Sequence, residues 1–466
     1  MSAKAVIKNV ITKGPVKTWE IHQQRKQEKI RQAKLAEMKR QVIAGIIDGD
    51  YADVKDLFIE YLKLDRKGEI SDKYYEKRLK SLFVKEIYPR VYEMESKKPV
   101  ENKAIFMERG GGLSQSVLYM RDYIKKNTDC EVIDHFLYVR EVPNEVYFEN
   151  GKKYIRDMGT ARAVFISTAN DLTSYFKLRP ETKYIQLWHG CGIFKKVGLS
   201  AIDKKFGKSP ASHKEYPLNT NYSYVTIASP EQSWIFEESM GIDKDSGIIV
   251  PTGVSRTDEF FDPEYVKGCY EKIHKIIPAT KEKKIILYAP TFRGQVEKAV
   301  SPDKLDVEKF YHAFHEDYVL IFKHHGVALE VPEIPEKYKD SFAFDLTKGK
   351  GVTINDLMTV ADILITDYSS VVFEYALFER PMAFFTYDLE DYIDERGLYY
   401  DFDEITPGPL CFTNEELIDY ISEIDTKFDK QEVIDFKERF MSACDGHSTE
   451  RIWALVEGEQ PKGAEG

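Results

Sequence analysis

Residues 356–381 place the strongest constraint on the fold, because they contain one complete unit of helix, strand, turn and helix. The spacing of their apolar residues predicts a short helix, a buried strand over 363–366 and a second helix over 371–379. The turn between this strand and this helix carries three polar side chains, namely Asp367, Ser369 and Ser370. Because free backbone N–H groups at the start of a helix attract anions, the unit predicts an α/β fold with a phosphate site at the turn.

The same polar residues have a simpler explanation, which is that they only cap the helix. Such capping is common in α/β proteins. A capping box requires Glu or Gln three residues after the cap, but Phe373 occupies that place after Ser370, and Glu374 follows one residue too late. Glu374 is therefore a candidate ligand-binding residue, whereas the turn residues fit both interpretations.

Strands and helices alternate from residue 103 onward, in two successive groups. We predict the strands of the first group at 104–107, 131–139, 163–167, 183–188 and 224–228, and those of the second at 284–290, 318–322, 363–366 and 382–386. Regular alternation indicates parallel sheets covered by helices. We therefore expect an α/β fold with a helical extension over 1–98, a first α/β domain over 99–255 and a second over 256–456, whose last helix is able to cross back.

The predicted strands end in polar and cationic residues. Ligands of open parallel sheets bind beyond the carboxyl ends of the strands, so these residues are candidates for one shared site. His189 precedes Gly190, which lets the chain turn away so that the imidazole can face a cleft as a general base. A structural role for this histidine fits the sequence equally well. The second group contributes candidates suited to a diphosphate, namely Thr291, Arg293, Lys323, His325, Asp367, Ser369, Ser370 and Glu374.

The N-terminal segment differs in charge from the rest of the chain. Its first 40 residues carry eleven Lys or Arg against three Glu, a net charge of +8, whereas the whole chain has a net charge of −11. The acidic body argues against general nucleic-acid binding, and the basic arm is suited to an anionic membrane surface. A solvated, partly coiled-coil extension explains the same pattern. The first interpretation predicts a cytoplasmic protein that is peripheral on the inner face of the cell membrane.

Cysteine usage and hydropathy exclude several classes of protein. Five scattered cysteines without CxxC spacing argue against a disulfide framework and a zinc site, and indicate a reducing compartment. No stretch approaches the ~18 apolar residues that span a bilayer. Asp401 and Asp403 form a DxD pattern in an acidic loop, which we interpret as a solvated turn. The sequence predicts no cofactor and leaves a divalent metal ion open.

Several segments, taken in order, resemble one known family. They lie within residues 183–453 and comprise Trp188-His189-Gly190, 253–258, 288–293, 323–325, 366–370, 373–374, 380–381, 387–388, 407–409 and 445–446. The ordered set resembles the CDP-glycerol glycerophosphotransferases, which build teichoic acids and related cell-surface or capsule-type polymers in bacteria.

The resemblance implies two facing Rossmann-like domains, as in GT-B enzymes, with the active site between them. It makes residues 99–255 the acceptor-side domain and residues 256–456 the nucleotide-binding domain. It also implies transfer of glycerol phosphate from CDP-glycerol to a hydroxyl of a lipid-linked or polymeric acceptor, with release of CMP. By the same resemblance His189 is the general base, and the second histidine of the family maps onto His325, with Lys323 in the place of an Arg and Gly326 in that of a Pro. Because His324 is adjacent, the sequence leaves open which ring faces the diphosphate.

Three alternatives remain at this point. The first is a closely related transferase that uses CDP-ribitol. The second is a GT-B glycosyltransferase or epimerase that uses a sugar nucleotide, since a fold alone does not fix a function. The third is a membrane-surface scaffold without activity, against which the complete set of candidate residues argues. The sequence does not determine the oligomeric state.

Overall fold

The computed structural model describes residues 15–202, 204, 209–294 and 298–459, and it shows two six-stranded parallel sheets. The first sheet has the strand order β2-β1-β3-β4-β5-β6. Its strands are β1 (Glu101–Glu108), β2 (Glu131–Phe136), β3 (Ala161–Ile166), β4 (Lys183–Gln186), β5 (Tyr224–Thr226) and β6 (Ile249–Val250). The central strands consist of continuous runs of buried residues, as expected where helices cover both faces of a sheet.

The second sheet has the strand order β12-β11-β10-β7-β8-β9. Its strands are β7 (Lys284–Tyr288), β8 (Tyr318–Phe322), β9 (Ala343–Asp345), β10 (Ile363–Thr366), β11 (Met382–Phe385) and β12 (Leu410–Cys411). Two parallel α/β lobes with a helical N-terminal region confirm the predicted fold class. We call the parts built on the first and second sheets the first and second lobe.

The described residues contain eighteen α-helices. In chain order they are α1 (Pro15–Asp48), α2 (Tyr51–Arg66), α3 (Asp72–Leu82), α4 (Tyr88–Glu95), α5 (Gln115–Asn127), α6 (Asn144–Met158), α7 (Pro210–Glu215), α8 (Ser233–Met240), α9 (Pro263–Ile276), α10 (Val307–Phe314), α11 (Ile354–Val360), α12 (Val371–Ala376), α13 (Leu389–Arg396), α14 (Phe402–Ile405), α15 (Asn414–Ser422), α16 (Ile424–Lys427), α17 (Lys430–Phe440) and α18 (Ser448–Glu457). None of the described helices has a stretch long and apolar enough to cross a membrane.

The N-terminal helices share a hydrophobic core with the first lobe. Val42 and Ile46 of α1 are buried in the same cluster as residues of β1 and β3. Lys152 of α6 donates hydrogen bonds to the carbonyls of Ile46 (2.8 Å) and Gly49 (2.7 Å), where the end of α1 leaves acceptors unpaired. The second half of α1 is thus part of the folded body. The first 14 residues of the predicted basic arm lie outside the described residues.

Two segments tie the lobes together. The last helix, α18, packs on the first sheet through Ile452, Trp453 and Val456. Asp258 accepts hydrogen bonds from the backbone N–H groups of Ser448 (3.0 Å) and Thr449 (2.7 Å), and so fixes the start of this helix. The chain therefore passes between the lobes twice.

The helix predicted over 371–379 is shorter than expected. It ends at Ala376, and Glu379 has a positive φ of 52°. After Ala376 the N–H groups of Leu377, Phe378 and Glu379 bond to carbonyls three residues back, which is a tighter 3₁₀-type pattern, and Pro381 prevents the helix from resuming. A helix of six residues supports a smaller dipole at the turn than the sequence suggested.

Candidate active site

A cavity of about 300 Å³ lies between the lobes and collects most of the predicted site residues. Its walls are formed by His189, Arg256, Ala289, Pro290, Lys323, His324, His325, Gly326, Ile354, Ser369, Ser370, Val371 and Glu374. His189 comes from the first lobe, and the residues after β7, β8 and β10 come from the second. The predicted meeting of strand ends is therefore present, whereas Thr291, Arg293 and Asp367 are not part of the cavity wall.

The turn that carries His189 is packed directly against the second lobe. Trp188 has a φ of +60°, an uncommon conformation for a bulky residue, and its N–H donates to the side chain of Gln186 at 2.9 Å. A Cβ atom on Gly192 would overlap the ring of Phe373, and one on Gly190 would lie 3.4 Å from Ser370 Oγ. The two glycines therefore permit the close approach of the lobes that brings His189 to the cavity.

The imidazole of His189 has one nitrogen engaged and one available. Nδ1 lies 3.4 Å from the carbonyl oxygen of Ser167, so it carries the proton, and Nε2 keeps its lone pair. Desolvation between the cleft walls, aided by the charges of Arg256 and Lys195, lowers the pKa of His189 below 6.5, while the hydrogen bond to Ser167 opposes this shift. Neutral His189 is therefore suited to accept a proton.

A buried carboxylate supports His189 through Ser167. Glu108 ends β1, is buried, and lies 3.4 Å and 3.5 Å from Ser167 Oγ. Ser114 also donates its backbone N–H to Glu108 at 3.1 Å. Burial raises the pKa of Glu108. Sequence reasoning missed this residue, because nothing in the local pattern around β1 connects it to a histidine 81 positions later.

The structure distinguishes the two adjacent histidines. The ring of His324 is buried, and its Nδ1 lies 2.5 Å from Ser301 Oγ. His325 is exposed to the cleft and packs beside Phe292 at a centroid distance of 5.0 Å. His325 is therefore the ring available to a ligand.

The hydrogen bonding of His325 is the reverse of that of His189. Its Nδ1 accepts the backbone N–H of Val327 at 3.2 Å, so the proton of the neutral ring lies on Nε2. Desolvation, with the charges of Lys195 and His189, lowers the pKa of His325 to about 4. One lobe thus presents a proton acceptor and the other a neutral N–H donor.

The two strongest predicted phosphate ligands are occupied by the protein itself. Arg293 binds both oxygens of Asp388 (2.7 Å and 3.0 Å) and lies 3.0 Å from Asp367 Oδ2. Lys323 Nζ donates to the carbonyls of Leu346 (2.7 Å), Thr347 (3.3 Å) and Val352 (2.7 Å). Both cations therefore hold loops around the cavity in this structure.

The turn after β10 is shaped by Asp367 rather than by a serine cap. Asp367 is buried and accepts the N–H groups of Thr291 (2.8 Å) and Tyr368 (2.7 Å). Ser370 stands before α12 but makes no side-chain capping bond. The hydroxyl of Ser370 thus remains available at the cavity wall.

Arg256 and Glu374 form the floor of the cavity. Arg256 donates to the carbonyl of His189 at 3.2 Å and to Asn355 Oδ1 at 2.9 Å, and it lies 3.4 Å from Glu374. Glu374 is 1% exposed, and its Oε2 has no hydrogen-bond partner within the described chain. A buried carboxylate oxygen that lines a cavity without a partner is suited to accept a hydrogen bond from a ligand hydroxyl. Arg256 was not among the predicted site residues.

The amino-acid sequence also matches the model of one known protein family. A family model described as CDP-glycerol:poly(glycerophosphate) glycerophosphotransferase matches residues 90–458. The chain belongs to this family. The resemblance found from the motifs is thereby confirmed, and membership favours a phosphotransferase over a glycosyltransferase.

Individual members of the family differ in the polyol that their names give. A teichoic acid ribitol-phosphate primase of Bacillus spizizenii is 38% identical over 291 residues, which cover 62% of this chain and 72% of the relative. A teichoic acid glycerol-phosphate primase of Bacillus subtilis is 35% identical over 289 residues, which cover 61% and 71%. The matched segment spans 46% to 56% of the length of three ribitol-phosphate polymerases.

A solved structure shows the same fold. A structure of the wall teichoic acid polymerase TagF, soaked with CDPG, aligns with a TM-score of 0.65 and 24% identity over 83% of this chain and 98% of that one. At this identity the likeness supports the two-lobed architecture. Within the described ranges of the chain, no group of three or more His, Cys, Asp or Glu is arranged to hold a metal ion.

Proposed function

We propose that the protein transfers glycerol phosphate from CDP-glycerol to a hydroxyl of a lipid-linked or polymeric acceptor and releases CMP, in teichoic acid or capsule-type polymer synthesis. The observation that carries the proposal is the complementary hydrogen bonding of two histidines at one cavity between the lobes. His189 keeps a free lone pair on Nε2, and neutral His325 presents a proton on Nε2. Family membership supports the same chemistry.

In the proposed reaction, the acceptor hydroxyl oxygen forms a bond to the β-phosphorus of CDP-glycerol. Its proton moves to His189 Nε2. The bond between the β-phosphorus and the bridging oxygen breaks, and this oxygen leaves with the electron pair as part of CMP. Such transfers depend on positioning and on fixed hydrogen-bond donors rather than on a covalent protein intermediate.

The second lobe holds the donor in this proposal. The Nε2–H of His325 and the hydroxyls of Ser369 and Ser370 donate hydrogen bonds to diphosphate oxygens, since all three line the same cavity. Arg293 and Lys323 act indirectly, because their donors are already used to fix the surrounding loops. Glu374 accepts a hydrogen bond from a donor hydroxyl.

A second candidate donor is CDP-ribitol, which the 38% identity to a ribitol-phosphate primase favours. Ribitol adds two hydroxylated carbons to the donor. The cavity of about 300 Å³ and the unpartnered oxygen of Glu374 are compatible with either polyol. Thermal unfolding with each CDP-polyol distinguishes the two donors.

We infer further that the basic N-terminal segment holds the protein at an anionic membrane surface, where a lipid-linked acceptor is anchored. Each Lys or Arg near such a surface contributes up to about 1 kcal/mol of binding energy. On α1, Trp19 and Ile30 are 64% and 55% exposed, so apolar side chains accompany the charges. The resulting binding is peripheral and sensitive to salt.

The donor assignment is tested by thermal unfolding with CMP, CDP-glycerol, CDP-ribitol, UDP and UDP-sugars. A ligand at 100 times its dissociation constant adds about 2.7 kcal/mol to the free energy of unfolding. We expect stabilisation by CMP and by one or both CDP-polyols. Stabilisation by the uridine nucleotides alone would contradict the proposal.

A further inference from the structure

A second cavity between the lobes carries a concentration of positive charge. Its volume is about 320 Å³, and its walls are formed by Lys195, Lys196, Val197, Gly198, Ala201, Lys204, His213, Leu218, Glu395 and Arg396. The lysines follow the His189 turn of the first lobe, and the last two residues end α13 of the second lobe. Four Lys or Arg side chains against one carboxylate stand out in a chain whose net charge is −11.

Two of these lysines converge over a glycine. The backbone N–H of Lys196 donates to the carbonyl of Gly397 at 2.9 Å. A Cβ atom on Gly397 would lie 2.8 Å from Lys204 Cε and 3.2 Å from Lys196 Cδ. Both side-chain stems therefore pass close to this residue, which brings two like charges to one wall. An anion between them would remove their repulsion.

Lys195 is the third member of the cluster. Desolvation, with the charges of Arg396 and Arg293, lowers the pKa of Lys195 to about 8, while Asp367 opposes the shift. The same ammonium group lowers the pKa of His325. In the part of the chain that the structure describes, Lys195 Nζ makes no ion pair or side-chain hydrogen bond. A desolvated cation without a partner is costly for the fold alone and is suited to an anionic ligand.

We propose that Lys195, Lys196 and Lys204 form an anion subsite that binds a phosphate group of the acceptor. The inference rests on the proposed function and names the residues that would hold the phosphate of a polyol-phosphate acceptor end. The attacking hydroxyl of such a unit lies only a few bonds from its phosphate. A phosphate held by residues that follow the His189 turn would therefore orient that hydroxyl toward the base.

The test combines two variants with one phosphate-bearing probe. Lys196→Gln/Lys204→Gln removes two charges, and Lys244→Gln/Lys281→Gln serves as the matched control, because both of these lysines are exposed elsewhere. Calorimetry measures the binding of sn-glycerol 3-phosphate while CMP saturates the donor cavity. We expect the dissociation constant to rise about tenfold for each lysine removed, to stay unchanged in the control, and to recover in Lys196→Arg/Lys204→Arg.

Steady-state kinetics then test whether the phosphate bound by the lysines belongs to the acceptor or to the nucleotide donor. With sn-glycerol 3-phosphate and free glycerol as alternative acceptors, the Lys-to-Gln variant should lose the preference for the phosphate-bearing one, and the KM of the nucleotide should not change. Unaltered binding of the probe in this variant, or displacement of the probe by CMP in the wild type, would overturn the subsite. If the wild type released no CMP from any donor, the proposed function would fail, whereas loss of probe binding in the variant would still support the subsite.

Discussion

At the scale of single residues, the protonation of His189 sets the expected pH dependence. His189 accepts a proton only when it is neutral, and its pKa is lowered below 6.5, so the neutral form persists into mildly acidic solution. We predict that log(kcat/KM) rises with a slope of 1 at acidic pH and bends to a plateau with its midpoint below pH 6.5. His325 remains neutral over this range, because its pKa is about 4. An acidic limb of the kcat/KM profile with its midpoint clearly above pH 6.5 would contradict the assignment of His189 as the general base.

Arg293 is predicted to contribute more to stability than to nucleotide binding. Arg293→Ala leaves Asp367, whose side chain is 3% exposed, without its cation, and such a loss costs about 3–5 kcal/mol. Urea unfolding measures this change. Arg90→Ala is the control, since Arg90 is exposed, Glu86 is only half-buried, and such a pair contributes about 0–1 kcal/mol. An Arg293→Ala protein of unchanged stability but lower CMP affinity would instead support direct phosphate contact.

At the scale of elements, the close approach of the His189 turn to α12 makes Gly192 sensitive to substitution. Gly192→Ala places a methyl group on the ring of Phe373, and we predict a loss of about 1–3 kcal/mol in stability together with reduced turnover. Gly268→Ala on α9 is the matched control. A methyl group there has no atom within 4 Å, and the helix should gain about 0.5–1 kcal/mol. Equal thermal unfolding temperatures for the two variants would argue against tight packing between the lobes.

The alternation of strands and helices was predictable because apolar runs and turn residues are local signals. Strands β8 and β10 have the predicted bounds, but β9 and β12 contain only three and two residues, too few for a pattern to form. The position of His189 at a strand end was predictable for the same reason. The hydrogen-bond partners of Arg293 and Lys323 were not predictable from the sequence, because they lie on loops that only the tertiary fold brings together.

At the scale of the whole molecule, we predict that the first 27 residues are needed for membrane binding but not for folding. Leu35 and Met38 are 6% and 5% exposed, so a deletion of residues 1–40 would open the helical core. A deletion of residues 1–27 spares them and removes six Lys or Arg and one Glu. We expect the shorter protein to stay folded and active on a soluble acceptor but to lose most of its sedimentation with anionic vesicles.

A full-length variant with these six cations changed to Gln is the control for that deletion, because it keeps the length and removes the charge. It should lose vesicle binding to a similar degree at low salt. If the deleted, the neutralised and the original proteins all sediment equally, the segment is a solvated extension and another surface contacts the membrane.

The central claim is that His189 activates an acceptor hydroxyl against a CDP-polyol held in the cavity. Its most direct test is CMP release from CDP-glycerol and from CDP-ribitol by the wild type and by His189→Ala, with analysis of the second product and with His312→Ala as an exposed control. We predict CMP and a new phosphodiester from the wild type and the control, and turnover about 10² to 10⁴ times lower in His189→Ala with unchanged CMP affinity. Near wild-type turnover in His189→Ala, or a nucleoside diphosphate with a new glycosidic bond as products, would contradict the claim.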